Sequence, residues 1–304
     1  MESKLEQNSI EYLTHEQRRI LMTPVFIVGA GRSGTTWLQR ILLENDKIVG
    51  GQEAHFFRLF DDLLNSVKNK SCDSRAVGLS TYWNVEEFYL QVRNIWLKTF
   101  APLMECETEL LLEKTPNNVL FMENIKEIIP NAKFIHLIRD SRSVVASMLA
   151  AHSGWGSHWA QDNAKDAAVT WWRYVSAGRL AGKGLLSSEY IEVHYDDLLM
   201  NPVEGMSKIY KFLELDYTID NIKRDISTQE FLKQQQKNGS GIRTVSGEEL
   251  KEPEGFIRKG QSDSWKKDLS LFQQLVVWRY TRKLMKECGY NWNGRIKEDE
   301  AKGG

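Results

Sequence analysis

Apolar and polar positions along the chain follow two different periods. Short apolar runs at Val25–Val28, within Lys47–Gly51, at Leu110–Leu112, within Asn131–Asp140 (Phe134, Ile135, Leu137 and Ile138) and at Tyr190–Val193 are bounded by turn residues and read as strands. They are continuous rather than alternating, as in a parallel sheet covered on both faces. Between them the spacing turns helical. Phe88, Val92, Trp96 and Leu97 mark Val85–Phe100, and Val144, Val145, Met148 and Leu149 mark a helix capped by Asp140 or Ser141. A further helix spans Pro202–Leu213, and a closing one, roughly Leu269–Cys288, is expected to bury Leu271, Leu275, Trp278 and Met285 and to stop at Gly289. Strand–helix alternation of this kind predicts an α/β fold: a central parallel sheet of about five strands with helices on both faces.

Residues 1–23 read as a polar lead-in with helix potential from Ser9 to Arg19, 24–292 as a single domain, and 293–304 as a charged tail expected to be disordered. Ser227–Glu254, with Asn238, Gly239, Ser240, Gly241 and Gly247, reads as a flexible loop of the kind that closes over substrates.

Composition narrows the function classes. Forty basic residues against 41 acidic ones, net charge −1, give no broad basic field, so no nucleic-acid partner is expected and any anion site must be local. Cys72, Cys106 and Cys288 lack metal-ligand spacing and suggest no disulfide framework. Met1–Arg19 is too polar for a signal peptide, and no apolar run approaches the roughly 20 residues of a membrane span. A cytoplasmic protein is expected.

The candidate chemistry starts at Pro24–Asn45, PVFIVGAGRSGTTWLQRILLEN. A strand runs into Gly29, Gly31 and Gly34, and a helix opens at Thr35, so backbone N–H groups without internal partners face whatever anion enters the turn. A Walker A loop would need lysine where Thr35 stands. The same letters fit a dinucleotide-binding Gly-x-Gly-x-x-Gly turn, with Glu53 in place of the ribose-binding acid, although Arg32, Ser33, Thr35 and Thr36 crowd the turn with anion-binding groups. Glu53 follows the second strand. Lys114 ends the third, ahead of Pro116, and is placed to meet an oxyanion. Arg139 ends the fourth, with Ser147 about two turns further along the next helix. His136, inside an apolar strand, reads as a core histidine. Trp155, His158 and Trp159 are candidate pocket residues, whereas Trp171 and Trp172 fit a packing helix.

GRSGTTW resembles the 5′-phosphosulfate loop of the sulfotransferases, which use 3′-phosphoadenosine 5′-phosphosulfate (PAPS). The resemblance implies a P-loop-like three-layer fold in which Arg32, Ser33, Gly34, Thr35 and Thr36 hold the phosphosulfate. Trp37, otherwise a helix-core residue, would lie against adenine. It further implies Arg139 and Ser147 at the 3′-phosphate, Tyr195 of Tyr195-Asp196-Asp197-Leu198 near the adenine, and Arg258, Lys259 and Gly260 as a phosphate clamp, with no metal required. Glu53 would be the base, as in carbohydrate and tyrosyl enzymes, and Lys114 would stabilise the leaving phosphate. Pro116 stands where the cytosolic small-molecule branch has a histidine, which favours Glu53. The implied reaction is in-line sulfuryl transfer to a hydroxyl, or less readily an amine, of a small-molecule, carbohydrate or peptidyl acceptor. A nicotinamide-dependent oxidoreductase and a nucleotide kinase or nucleotide-binding protein stay open as alternatives.

Overall fold

A computed structural model describes residues 13–68, 82–234, 239–243, 249–251 and 263–296. Five strands, β1 (Val25–Gly29), β2 (Ile48–Gly50), β3 (Leu110–Lys114), β4 (Lys133–Ile138) and β5 (Tyr190–His194), form one wholly parallel sheet in the order β2-β3-β1-β4-β5. With β1 central and its neighbours β3 and β4 reached by crossovers, the crevice for a ligand opens at the carboxyl ends of the strands.

Side-chain alternation along β1 sends its residues into two layers. Phe26 and Val28 join a core with helices α1 (His15–Met22), α3 (Phe56–Lys68), α4 (Val85–Phe100) and α5 (Met122–Ile128), where Phe26 stacks on Phe134 with ring centroids 5.5 Å apart. Val25 and Ile27 face α2 (Thr35–Leu42), α8 (Tyr195–Met200), α9 (Pro202–Leu213) and α10 (Ile219–Gln234). A third apolar cluster joins α6 (Ser141–His152), α7 (Ala164–Gly182), α11 (Trp265–Asp268) and α12 (Leu271–Glu287) beyond the β4 side. Local signals fix the helix starts. Asn84 and Glu87 form a capping box at α4, Ser270 and Gln273 another at α12, and the Asp140 carboxylate caps α6 by accepting from the Arg142 N–H.

Four expectations change. The lead-in contributes to the core: Ile20 and Leu21 of α1 are buried, and the Trp96 indole donates to the Leu21 carbonyl at 2.7 Å. In α12 the buried face is Val277, Thr281, Leu284 and Met285; of the residues expected inside, Met285 is buried and Trp278 half-buried against the third cluster, but Leu271 is 67% exposed and Leu275 is exposed too. The inward stripe is rotated from the one that the sequence suggested, because periodicity shows which residues share a face, not which face finds a neighbour. The span read as a loop begins inside α10, and Gly239–Arg243 pairs antiparallel with Glu249–Lys251; its remainder lies outside the described residues. The tail read as disordered from 293 starts ordered: Gly294–Arg295 pairs antiparallel with Tyr290–Asn291, and Arg295 is ion-paired to Asp197 at 2.6 Å, while 297–304 lie outside the described residues.

His136 is buried at the centre of β4, as read from sequence. The Tyr190 hydroxyl donates to Glu192, so the 2.7 Å contact between His136 Nδ1 and that oxygen makes Nδ1–H the donor and leaves Nε2 a buried lone pair without a hydrogen-bond partner. Burial pushes His136 down to about 3, and His194 shifts in the same direction. Below about pH 6.5 the unfolded chain binds a proton that the folded chain refuses until about pH 3, so stability falls as pH drops through that window. Glu113, pushed up to about 7 by burial, contributes in the opposite sense between neutral pH and its ordinary carboxylate range. Below that range the histidines act in the same sense as the carboxylates that cation partners hold low, Glu189 beside Lys126 and Glu214 beside Lys133. Thermal unfolding should therefore show stability falling on acidification by about 1.4 kcal/mol per pH unit for each such proton. His136→Asn should flatten the slope by one proton; an unchanged slope would remove His136 from this role.

Candidate active site

β1 ends at Gly29, whose φ of +150° is accompanied by so close an approach to β4 that a Cβ would stand 2.4 Å from the Leu137 carbonyl oxygen. The turn then places Arg32 at φ +72°, unusual for a residue with a side chain, and Gly34 at φ +99°. Gly34 is the N-cap of α2 and supplies no side-chain cap, so the first N–H groups of α2 face the turn without a side-chain acceptor. Ser33 Oγ is buried with no hydrogen-bond partner. Thr35 is buried and Thr36 half-buried in the first turn of α2. An open helix start and an orphaned hydroxyl beside a basic side chain fit a phosphate or sulfate group.

Residues far apart in sequence converge on this turn. Arg32 Nε donates to Ser147 Oγ at 3.0 Å, and Arg139 Nη1 donates to the Arg32 carbonyl at 3.3 Å. The Arg139 guanidinium lies 4.5 Å from the centre of the Tyr195 ring, and Trp37 packs nearly perpendicular to that ring with centroids 5.6 Å apart. Tyr195 is only 3% exposed and lies so close to Gly34 that a Cβ there would meet its ring at 2.4 Å. Arg32, Ser33, Gly34, Thr35, Thr36, Trp37, Arg139, Ser147 and Tyr195 thus share one region; Arg258, Lys259 and Gly260 lie outside the described residues.

The other half of the site stands at the ends of β2 and β3. Lys114 Nζ, on a side chain 3% exposed, meets Glu53 Oε1 at 2.7 Å, while the Glu53 side chain is 33% exposed. His55 Nε2 is 3.6 Å from the second Glu53 oxygen. The Gln39 amide of α2 donates to the Gly51 carbonyl at 2.9 Å and ties the cradle helix to the segment leading into Glu53. A carboxylate and an ammonium so placed can take a proton and offset charge within one small volume.

The supports around the site take roles that the sequence did not assign them. The Trp171 indole, buried in α7, donates to the Arg139 carbonyl at 2.9 Å, which makes it a brace for the site as well as a core residue. Trp172, by contrast, faces outward. Trp155 lies beneath the Arg32 guanidinium at 5.4 Å and packs against Trp159 at 5.5 Å, whose ring borders Gly31. Arg142, three residues after Arg139, is buried, ion-paired to Asp140 at 2.6 Å and stacked 3.7 Å over Trp265; it anchors the C-terminal helices rather than the site. Asp140 was legible as a cap, but nothing in the sequence marks Arg142 as a buried partner for it.

The chain belongs to the sulfotransferase family, whose sequence model matches residues 24–219. This membership sets aside the oxidoreductase and kinase alternatives. A putative protein-tyrosine sulfotransferase of Caenorhabditis briggsae is 24% identical over 230 residues, covering 73% of this chain and 79% of that protein. The protein-tyrosine sulfotransferase of Drosophila melanogaster is 25% identical over 67% of this chain, an alignment spanning 42% of that enzyme's length. The omega-hydroxy-beta-dihydromenaquinone-9 sulfotransferase Stf3 of Mycobacterium tuberculosis is 24% identical, with 63% of each protein covered. In fold the chain resembles mouse sulfotransferase SULT7A1, solved with PAP (TM-score 0.56, 14% identity, 90% of this chain and 94% of that one). It also resembles the sulfotransferase domain of the curacin pathway (TM-score 0.56, 16% identity, 86% and 96%). Among the described residues no cluster of His, Cys, Asp and Glu is arranged to hold a metal ion, and no helix is long and apolar enough to cross a membrane.

Proposed function

We propose that this protein transfers the sulfuryl group of PAPS to a hydroxyl of an acceptor, with Glu53 as the base. The observation that carries the reading is the 2.7 Å Glu53–Lys114 pair at the strand ends beside the cradle. PAPS would supply an activated sulfuryl group on a phosphate leaving group. Ser33, Arg32 and the open N–H groups of α2 would hold the phosphosulfate; Arg139 and Ser147 would hold the 3′-phosphate, with Arg258 and Lys259 as further cations. Trp37 and Tyr195 would border the adenine. Glu53 accepts the hydroxyl proton, and Lys114 balances charge gathering on the oxygen that leaves sulfur. As in phosphoryl transfer, the protein contributes mainly alignment and electrostatics. Trp155 and Trp159 are the proposed apolar wall on the acceptor side.

A thermal-shift titration with adenosine 3′,5′-bisphosphate, NAD and ATP tests the donor class. Ligand at 100 times its dissociation constant stabilises by about 2.7 kcal/mol, and only the bisphosphate should reach this. Equal shifts with NAD or ATP would overturn the PAPS reading. A screen with sulfur-labelled PAPS against sugars, hydroxylated small molecules and tyrosyl peptides then identifies the acceptor.

Arg139→Ala isolates the 3′-phosphate contact. A hydrogen bond to a charged group contributes about 1.5–3 kcal/mol, so calorimetry should show adenosine 3′,5′-bisphosphate binding weakened by at least about tenfold. Preference among acceptors should be nearly unchanged. Undiminished affinity would sink the assignment.

A further inference from the structure

The turn that presents Glu53 is held from the side of β3 opposite Lys114. His55 takes φ +49°, a left-handed conformation that side chains rarely adopt, so the turn needs external ties to persist. They come from Glu113, which is 2% exposed in the strand between β2 and β1. Its carboxylate accepts the Thr115 hydroxyl at 2.5 Å, the Asn118 amide at 2.8 Å and the backbone N–H of Ala54. Thr115 Oγ1, its proton directed at Glu113, accepts the next backbone N–H, that of His55, at 3.4 Å. Two successive amides after Glu53 therefore end on one Glu113–Thr115 unit, while Lys114, the residue between these two, points the other way along the strand and meets Glu53 itself.

We propose that Glu113 is a positioning residue that, through Thr115 and Asn118, fixes the backbone of 53–55 so that the Glu53 carboxylate meets Lys114 in the geometry the reaction needs. The proposal rests on the role assigned to Glu53. Burying a carboxyl in a strand is unfavourable and pushes Glu113 up to about 7. An apolar side chain would fill the space without that cost, yet only an acceptor with several lone pairs can take all three donors at once.

Glu113→Gln keeps the shape but turns an NH₂ toward one of the three donors, so one tie opens. Amide exchange at Ala54 and His55, followed by NMR, should quicken by about tenfold, the consequence of one lost hydrogen bond. Inorganic sulfate released from labelled PAPS, with water as acceptor, should form about ten- to a hundredfold more slowly, while affinity for adenosine 3′,5′-bisphosphate stays the same. In a Glu53→Gln background, Glu113→Gln should cost nothing further, because it acts through Glu53. Thr115→Val should repeat these effects and Thr115→Ser restore the wild type, which keeps the test decisive should Glu113→Gln fold poorly. Unchanged exchange, or rate losses that add in the double variant, would overturn the proposal. If Glu53→Gln alone left sulfate release near normal, the base assignment would fall instead, and exchange at Ala54 and His55 would still decide whether Glu113 holds the turn.

Discussion

Glu53→Gln should lower turnover by about 10²–10⁴-fold while barely changing the affinity for adenosine 3′,5′-bisphosphate. Glutamine preserves the size of the side chain and an oxygen that can still face Lys114, so what is removed is the capacity to accept the acceptor's proton. Steady-state kinetics at saturating acceptor and calorimetry with the bisphosphate separate the two quantities. A residue that merely shaped the pocket would shift acceptor KM and leave the rate at saturation close to wild type. The prediction draws on the partial exposure of Glu53, 33% against 3% for Lys114, which leaves the carboxylate reachable by an incoming hydroxyl while its partner stays inside. Near-normal turnover would move the base role to His55, whose Nε2 is 3.6 Å from Glu53, and would cut the link to the carbohydrate and tyrosyl enzymes drawn from the sequence.

The strands were legible because a strand buried on both faces writes its burial directly into composition. Val25–Gly29 and Lys133–Ile138 lie within a residue or two of the apolar runs that announced them. Helices with strong local punctuation were equally plain: Pro202 at the first position of α9 and the Asn84–Glu87 box at α4 set starts that need no tertiary information. The inward stripe of α12 was not legible, since its apolar residues outnumber those that find a partner and four of its aliphatic and aromatic residues remain at the surface. Within the site, strand ends told where chemistry gathers, and Glu53, Lys114 and Arg139 all stand there. What holds them could not be read. The Arg32–Ser147 bond joins positions 115 apart and the Lys114–Glu53 pair positions 61 apart, and such pairings follow from strand order, which hydrophobic periodicity does not encode. Arg32 itself sits in left-handed backbone, where sequence statistics would place glycine or asparagine. Glu113 is hidden in the sequence for a related reason: between an apolar run and Lys114 it reads as the polar end of a strand, and only the fold turns it into a buried acceptor for the Ala54 and His55 segment.

Lys114→Ala is expected to lower turnover by about 10²–10³-fold, the cost typical of deleting one preorganised donor aimed at developing charge. The ammonium is almost wholly shielded from water and pairs in register with the strand that opens the cradle, Ile27 opposite Lys114, so its field reaches the reacting atoms with little solvent screening. Arginine should not rescue the loss: its planar fork needs more room and a different donor geometry than a buried point charge. Removing the lysine also leaves Glu53 without its cation, so a purely structural role has to be excluded. The double variant Glu53→Gln/Lys114→Ala does this. If Lys114 served only to neutralise Glu53, the double variant should match Glu53→Gln in both melting temperature and turnover. If Lys114 acts on the leaving group, the double variant should recover stability and still turn over more slowly than Glu53→Gln. Turnover within severalfold of wild type in Lys114→Ala alone would leave charge stabilisation to Arg32 and the N–H groups at the start of α2, and the Lys114–Glu53 pair would then be a structural tie between β3 and the end of β2.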